Sequence, residues 1–150
     1  MAVQQAEQLA QIGLVGLGTM GAALALNIAE KGYRIAVWNR TQAVTERFMA
    51  DAGPLAENLH PTETLEDLVA ALKPPRSIIL MVPAGPVVDA QITALRLLLG
   101  PDDLIIDAGN ANFHDTERRS ADAKDAGVPF LGIGVSGGEE GARHGPSIMG

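Results

Sequence analysis

The chain has 150 residues, of which 47% are hydrophobic and only 3% aromatic, and it carries a formal net charge of −7 at pH 7. This length is sufficient for one domain with its own core. The chain contains no cysteine, which excludes disulfides, thiolate catalysis and cysteine-based zinc sites. Its negative charge disfavours binding to nucleic acid.

Targeting and membrane signals are absent from the sequence. The first eleven residues are polar and lack a basic region, and the apolar runs are too short to cross a bilayer. The three histidines are scattered and form no metal-ligand pattern. We therefore expect a cytoplasmic protein with no membrane partner and no metal.

Strand-like and helix-like segments alternate along the chain. The predicted strands lie at residues 11–16, 34–38, 77–82, 103–107 and 128–133, with a weak candidate at 55–60. The predicted helices lie at residues 22–31, 41–50, 64–72, 86–99 and 115–126. Repeated strand–helix–strand units predict an α/β fold, a Rossmann-like doubly wound parallel sheet.

The two ends of the chain do not fit this alternation. Residues 134–150 are rich in glycine and have no hydrophobic period, so we expect a loop. We expect residues 1–10 to be disordered or an extra N-terminal segment, and the sheet to stop before its last elements. An open sheet edge would then favour self-association, and a clean monomer in equilibrium sedimentation at high concentration would contradict that expectation.

A glycine-rich turn with the pattern G-x-G-x-x-G follows the first predicted strand and opens the first predicted helix. Its six residues are Gly16, Leu17, Gly18, Thr19, Met20 and Gly21. We expect Gly16 to permit a tight turn, Gly18 to let a pyrophosphate approach the backbone, and Gly21 to pack the helix against the strand. The alternative is a tight turn that binds nothing.

The residues after the second predicted strand indicate which dinucleotide binds. NAD sites usually have an acidic residue there, which holds the ribose 2′-hydroxyl. This chain has Asn39, Arg40 and Thr41 instead, so no carboxylate repels a 2′-phosphate and Arg40 can bind one. This pattern favours NADP. Alternatively, Thr41 caps the next helix and Arg40 is a solvated surface charge.

Two further segments are candidates for contacts with a substrate. Asn110 follows the strand predicted at residues 103–107, and its amide can contact both a nicotinamide and a hydroxylated substrate. Ser136, Gly137 and Gly138 expose backbone N–H groups that can hold a carboxylate or hydroxyl groups. The alternatives are an Asx turn or helix cap at Asn110 and a flexible loop at residues 136–138.

Several of these segments resemble the signatures of 6-phosphogluconate dehydrogenases. Residues 105–110 resemble the family's "IIDGGN", residues 115–119 its "DTxRR", and residues 134–149 its long glycine-rich motif. The segment from Asn39 to Thr41 matches as well. The resemblance extends over nearly all of residues 11–149.

The resemblance implies NADP-dependent oxidation of 6-phosphogluconate, followed by decarboxylation to ribulose 5-phosphate and CO₂, without a metal and in a homodimer. It places Gly16 to Gly21, Asn39 to Thr41, Val82, Pro83 and Ala84 against NADP. It places Asn110 against both cofactor and substrate, and Ser136, Gly137 and Gly138 against the substrate. Pro83 stands where the family often has lysine, a change that removes a charge and an N–H donor.

The family's general base and general acid lie beyond the motifs found here, as does its helical domain. We therefore expect no catalytic residue in these 150 residues and, for the isolated chain, cofactor binding alone. One alternative is a non-catalytic NADP-binding module. The other is a 3-hydroxyisobutyrate-type β-hydroxyacid dehydrogenase, a class that shares the glycine-rich start and the Ser-Gly-Gly loop but lacks the continuation at residues 138–143.

Overall fold

A six-stranded parallel sheet forms the centre of the fold. The computed structural model describes residues 9–82, 86–108, 118, 127–132, 134–136, 143 and 147–149. The strands are β1 Ile12–Val15, β2 Ile35–Trp38, β3 Leu59–Pro61, β4 Ser77–Leu80, β5 Leu104–Asp107 and β6 Phe130–Gly132. Their order is β3-β2-β1-β4-β5-β6, and every neighbouring pair is parallel. The predicted Rossmann-like doubly wound sheet is confirmed.

Helices cover both faces of this sheet. They are α1 Thr19–Glu30, α2 Gln42–Asp51, α3 Leu65–Ala70 and α4 Pro86–Arg96. Successive strand residues point to opposite faces: Leu14 packs in a core cluster with residues of α1 and α2, whereas Val15 packs in a second cluster with residues of α3 and α4. Each fully buried leucine of this kind stabilises the fold by about 1.5–3 kcal/mol relative to exposure.

The weak strand predicted at residues 55–60 is largely wrong. A 3-10 helix occupies Gly53–Asn58, and β3 begins only at Leu59. Gly53 has a φ of +60°, and Pro54 presets the first turn of this helix. The Asn58 side chain donates to the carbonyl oxygen of Ala29 (3.0 Å), which ties the 3-10 helix to the end of α1.

Two helix boundaries also differ from the prediction. Helix α1 begins at Thr19, within the glycine turn, rather than at residue 22. Helix α4 ends at Arg96, where the chain tightens into a turn in which the N–H groups of Leu98 and Leu99 both donate to the carbonyl of Leu95.

The predictions for the two ends need correction. Residues 134–150 are not entirely loop, because β7 Gly134–Ser136 and β8 Ser147–Met149 form an antiparallel pair. At the other end, Ala10 belongs to the fold: it is fully buried, and its N–H donates to the carbonyl of Ala71 (2.8 Å).

The helix predicted at residues 115–126 lies outside the described residues except for Arg118. That residue is helical, and its guanidinium forms an exposed ion pair of 2.9 Å with Asp89 of α4. Within the described ranges, no helix combines the length and apolarity needed to cross a membrane.

His60 on the edge strand β3 makes the stability of the fold depend on pH. Partial burial and the nearby Arg34 guanidinium lower the pKa of His60 below its ordinary value of 6.5, against an opposing effect of Asp67. The unfolded chain therefore binds a proton at His60 more readily than the folded chain does. The free energy of unfolding is not reduced by His60 at pH values above the ordinary pKa. It falls as the pH drops below that value, towards the pKa of His60 in the folded chain.

We predict that His60→Gln removes this effect of His60. Between about pH 8 and about pH 5, the melting temperature of the unaltered chain should fall more steeply than that of the variant, because only the unaltered chain has a titrating side chain at position 60. Thermal unfolding followed by circular dichroism at several pH values measures the difference. Parallel curves for the two proteins would contradict the assignment.

Candidate functional site

The candidate site lies at the carboxyl edge of the sheet, where the strand order reverses. From β1 the chain proceeds through α1 to β2 on one side, while β4 lies against β1 on the other side. The N–H of Gly16 donates to the carbonyl of Trp38 at the end of β2 (2.9 Å), and the N–H of Met81 donates to the carbonyl of Val15 (2.8 Å). The ends of three strands thus meet at the point where open α/β sheets bind ligands.

Two glycines of the turn are required by the geometry. Gly16 has a φ of +102°, and a Cβ there would lie 2.5 Å from the carbonyl oxygen of Met81. A Cβ on Gly21 would lie only 1.8 Å from the carbonyl oxygen of Gly16. The expected roles of Gly16 in the tight turn and of Gly21 in close packing are therefore confirmed.

Gly18 occupies a different environment, because nothing lies within 4 Å of a Cβ built there. Gly18 and Thr19 are exposed, and α1 starts at Thr19 with no acidic residue in its first turn. The first N–H groups of a helix have no acceptor within the helix and carry a partial positive charge. This combination of open space and N–H donors fits a phosphate group.

Asn39 has a role that the sequence did not reveal. The N–H of Leu17 donates to Oδ1 of Asn39 (2.8 Å), and Nδ2 of Asn39 donates to the carbonyl of Thr41 (3.2 Å). The side chain therefore joins the glycine turn to the loop after β2. Asn39 lies next to the predicted 2′-phosphate position, but its oxygen and one of its two amide hydrogens are already engaged.

Arg40 and Thr41 are both exposed beside this bridge. Thr41 occupies the N-cap position of α2, but its side chain makes no cap hydrogen bond, and its carbonyl accepts from the N–H of Val44 (3.1 Å). Arg40 makes no hydrogen bond or ion pair with any described part of the chain. The guanidinium and the hydroxyl are therefore both available to a ligand.

The loop after β2 is also held from its other side. Nε1 of Trp38 donates to the carbonyl of Glu63 (3.1 Å), and Nε2 of Gln42 donates to the carbonyl of Thr62 (3.2 Å). Both acceptors belong to the connection between β3 and α3. Because Trp38 is the single tryptophan of the chain, its fluorescence reports directly on this loop.

A groove of about 820 Å³ opens beside the glycine turn, between α1 and α2. Gly18 and Thr19 line one part of it, and apolar side chains such as Leu26 and Phe48 form its walls. Its charged lining residues are Arg47, Asp51 and Arg143. The Arg143 guanidinium pairs with the carboxylate of Glu30 near the end of α1.

Some of the remaining predicted site residues are described by the structure, and the others are not. Val82 lies against the glycine turn, because a Cβ on Gly16 would be 3.0 Å from its Cγ1. Ser136 lies on β7, paired with Ser147 of β8. The others lie outside the described residues: Pro83, Ala84, Asn110, Gly137 and Gly138. The described residues contain no cluster of three side chains suited to hold a metal.

The fold and this site together define a dinucleotide-binding domain of the Rossmann type. A family model described as the NAD binding domain of 6-phosphogluconate dehydrogenase matches residues 11–150. The chain belongs to this family.

Curated relatives of this chain carry the same family name. A decarboxylating 6-phosphogluconate dehydrogenase of Synechococcus elongatus is 54% identical over 94% of this chain and 30% of its own length. Two relatives from Bacillus subtilis, named as NADP(+)-dependent and NAD(+)-dependent decarboxylating enzymes, are each 47% identical. The chain thus spans about 30% of the length of the curated relatives it matches.

Solved structures agree with the family assignment. A Plasmodium falciparum 6-phosphogluconate dehydrogenase, described with NADP+ and with 6-phosphogluconate, superposes with a TM-score of 0.85 at 43% identity, over 92% of this chain and 30% of that one. A 3-hydroxyisobutyrate dehydrogenase of Mycobacterium tuberculosis gives 0.75 at 26% identity, over 90% of this chain and 43% of that one. The 3-hydroxyisobutyrate class is thus the more distant neighbour.

Gly18, which is exposed, and Gly21, which is buried, should respond differently to substitution. Gly21→Ala should destabilise the fold by at least about 2 kcal/mol, because its Cβ cannot share space with the Gly16 carbonyl oxygen. Gly18→Ala should leave stability unchanged or slightly higher, since its φ of −67° suits alanine and the space is open. Urea unfolding of both variants is the measurement, and equal losses would contradict the packing described here.

Proposed function

We propose that this chain forms the NADP-binding part of a decarboxylating 6-phosphogluconate dehydrogenase. NADP accepts a hydride when the substrate is oxidised, and the residues described here bind and orient it. The glycine turn receives the pyrophosphate at the start of α1. The observation that carries the choice of NADP is Arg40, an exposed and unengaged guanidinium on a loop fixed by Asn39.

The chemistry of Asn39 supports this cofactor over NAD. The buried N–H of Leu17 needs an acceptor at this position, and either an amide or a carboxylate can provide one. A carboxylate would also hold the 2′-hydroxyl of NAD and repel the 2′-phosphate of NADP. Asparagine provides the acceptor without the negative charge, and Arg40 then faces a phosphate of about two negative charges.

The substrate side of the proposal rests on family membership. Asn110, Ser136, Gly137 and Gly138 would contact 6-phosphogluconate, which would then be oxidised and decarboxylated to ribulose 5-phosphate. The reaction needs a general base that takes the hydroxyl proton. We propose that this base, the dimer interface and the rest of the substrate pocket lie in the part of the relatives that this chain does not span. We also propose that the enzyme is a homodimer and that it acts in the cytoplasm.

A second candidate function is binding of NADP without catalysis. Among the described residues of the glycine turn, the β2 end and the β4 end, none has a side chain that can accept a proton at neutral pH. The 150-residue chain alone should bind NADP+ without turnover under either candidate. An assay for NADPH formation from 6-phosphogluconate therefore distinguishes them only when this chain is joined to the remaining part of a relative, which supplies the general base. NADPH formation by the joined protein supports the enzyme, and bound NADP+ without turnover in the joined protein supports the second candidate.

Calorimetric titration with NADP+ and, separately, NAD+ tests the cofactor assignment. NADP+ should bind more tightly, and Arg40→Ala should weaken NADP+ by about tenfold, or 1.4 kcal/mol, while changing NAD+ by less than about twofold. Lys73→Ala, which removes the same charge from an exposed position before β4, serves as the control. Equal affinities for the two cofactors in the unaltered chain would contradict the proposal.

Asn39→Asp should reverse this preference. The variant keeps an acceptor for the Leu17 N–H, so the turn stays in place, but its carboxylate repels the 2′-phosphate and holds the 2′-hydroxyl of NAD. Asn39→Ala, which leaves the Leu17 N–H without its acceptor, should instead cost about 1–3 kcal/mol of stability. Titrations and thermal melts of both variants measure these effects, and a preference for NADP+ that survives in Asn39→Asp would argue against the role of this position.

A further inference from the structure

Arg47 is a second cation close to the proposed NADP site. It lies on α2 and lines the groove between α1 and α2, whose walls also include Gly18 and Thr19 of the glycine turn. The first turn of α2, which follows Arg40 in the chain, contributes Ala43 and Val44 to the same groove. Sequence motifs gave no indication of Arg47, because its position on the groove depends on how the two helices pack.

The Arg47 guanidinium is not neutralised by its neighbours. Asp51 lies one turn further along α2 and lines the same groove, but no ion pair joins the two side chains, and Arg47 makes no other polar contact with the described residues. The other arginine of the groove, Arg143, is paired with Glu30. Arg47 is therefore the groove arginine without a carboxylate partner, within the part of the chain that the structure describes.

The helix geometry directs this side chain towards the start of α2. Arg47 lies five residues after Gln42, the first residue of α2, and is thus about 7.5 Å along the helix axis. Helical side chains lean towards the N-terminus of their helix, which brings the guanidinium back towards the start of α2. Gly18 and Thr19 line the same groove, and Asp51, the acidic residue among its lining residues, lies one turn further from the start of α2 than Arg47 does.

We propose that Arg47 binds the 2′-phosphate of NADP together with Arg40 and so determines part of the specificity for NADP over NAD. This inference rests on the proposed cofactor, and it adds a residue outside the loop of residues 39–41. Two guanidinium groups match a phosphate of about two negative charges better than one does. A second cation also offsets the net charge of −7, which otherwise opposes the binding of an anion.

Two nucleotides that differ in one phosphate isolate this contribution. Both 2′,5′-ADP and 5′-AMP carry the adenosine and the 5′-phosphate, and only the first carries the 2′-phosphate. Titrations of the 150-residue chain, followed by Trp38 fluorescence or calorimetry, should show tighter binding of 2′,5′-ADP. Arg47→Ala should weaken 2′,5′-ADP by about fivefold and change 5′-AMP by less than about twofold.

Three further variants define the role of the charge. Arg47→Lys should retain much of the preference, because it keeps the charge but loses the bidentate geometry. Asp51→Asn should strengthen the binding of 2′,5′-ADP by about twofold, because it removes the nearby negative charge. Lys73→Ala, a matched loss of charge away from the groove, should change neither affinity. Positions 47, 51 and 73 are all exposed, so these variants should fold.

The outcomes separate this inference from the proposed function. If Arg40→Ala lowers the preference for 2′,5′-ADP and Arg47→Ala does not, the role of Arg47 is overturned and the NADP site stands. If the unaltered chain shows no preference for 2′,5′-ADP over 5′-AMP, both are overturned. An equal loss of both nucleotides in Arg47→Ala would assign it a structural role and would also overturn the inference.

Discussion

The contact between Gly21 and the carbonyl oxygen of Gly16 is the constraint on which the candidate site depends. A methyl group at position 21 would lie 1.8 Å from that oxygen, so the start of α1 approaches the end of β1 as closely as two backbones allow. This approach places the free N–H groups of the helix at the point where the strand order reverses. It also leaves open space beside Gly18, where a phosphate can approach them.

The Asn39 bridge extends this constraint to the choice of cofactor. The same side chain that accepts from the Leu17 N–H stands at the position where NAD-binding domains carry an acid. Structure and specificity are thus coupled, because position 39 needs an acceptor in either case and only its charge is free to vary. Asn39 is neutral, so it adds no negative charge to the proposed 2′-phosphate site. The exposed Arg40, and Arg47 as proposed above, would add positive charge there.

Much of this could be predicted from local sequence. The apolar runs at β1, β2, β4, β5 and β6 are parallel strands of one sheet, and the roles of Gly16 and Gly21 follow from six consecutive residues whose spacing encodes the turn. What could not be predicted depends on residues distant in the chain. The bond between Asn39 and Leu17 and the bond between Asn58 and Ala29 each join separate segments of the chain, and the groove lined by Arg47 forms where α1 and α2 lie side by side. The pairing of β7 with β8 was missed because residues 134–150 have too few apolar side chains to reveal a period.

The central claim is that a dinucleotide binds where the glycine turn meets the end of β2, and amide NMR spectra of the ¹⁵N-labelled chain during titration with NADP+ test it most directly. The account predicts saturable shifts for the amides of Gly18, Thr19 and Arg40. The amide of Asp103, which precedes β5 at the opposite edge of the sheet, should stay unchanged. Shifts confined to that opposite edge, or no shifts at saturating NADP+, would contradict it.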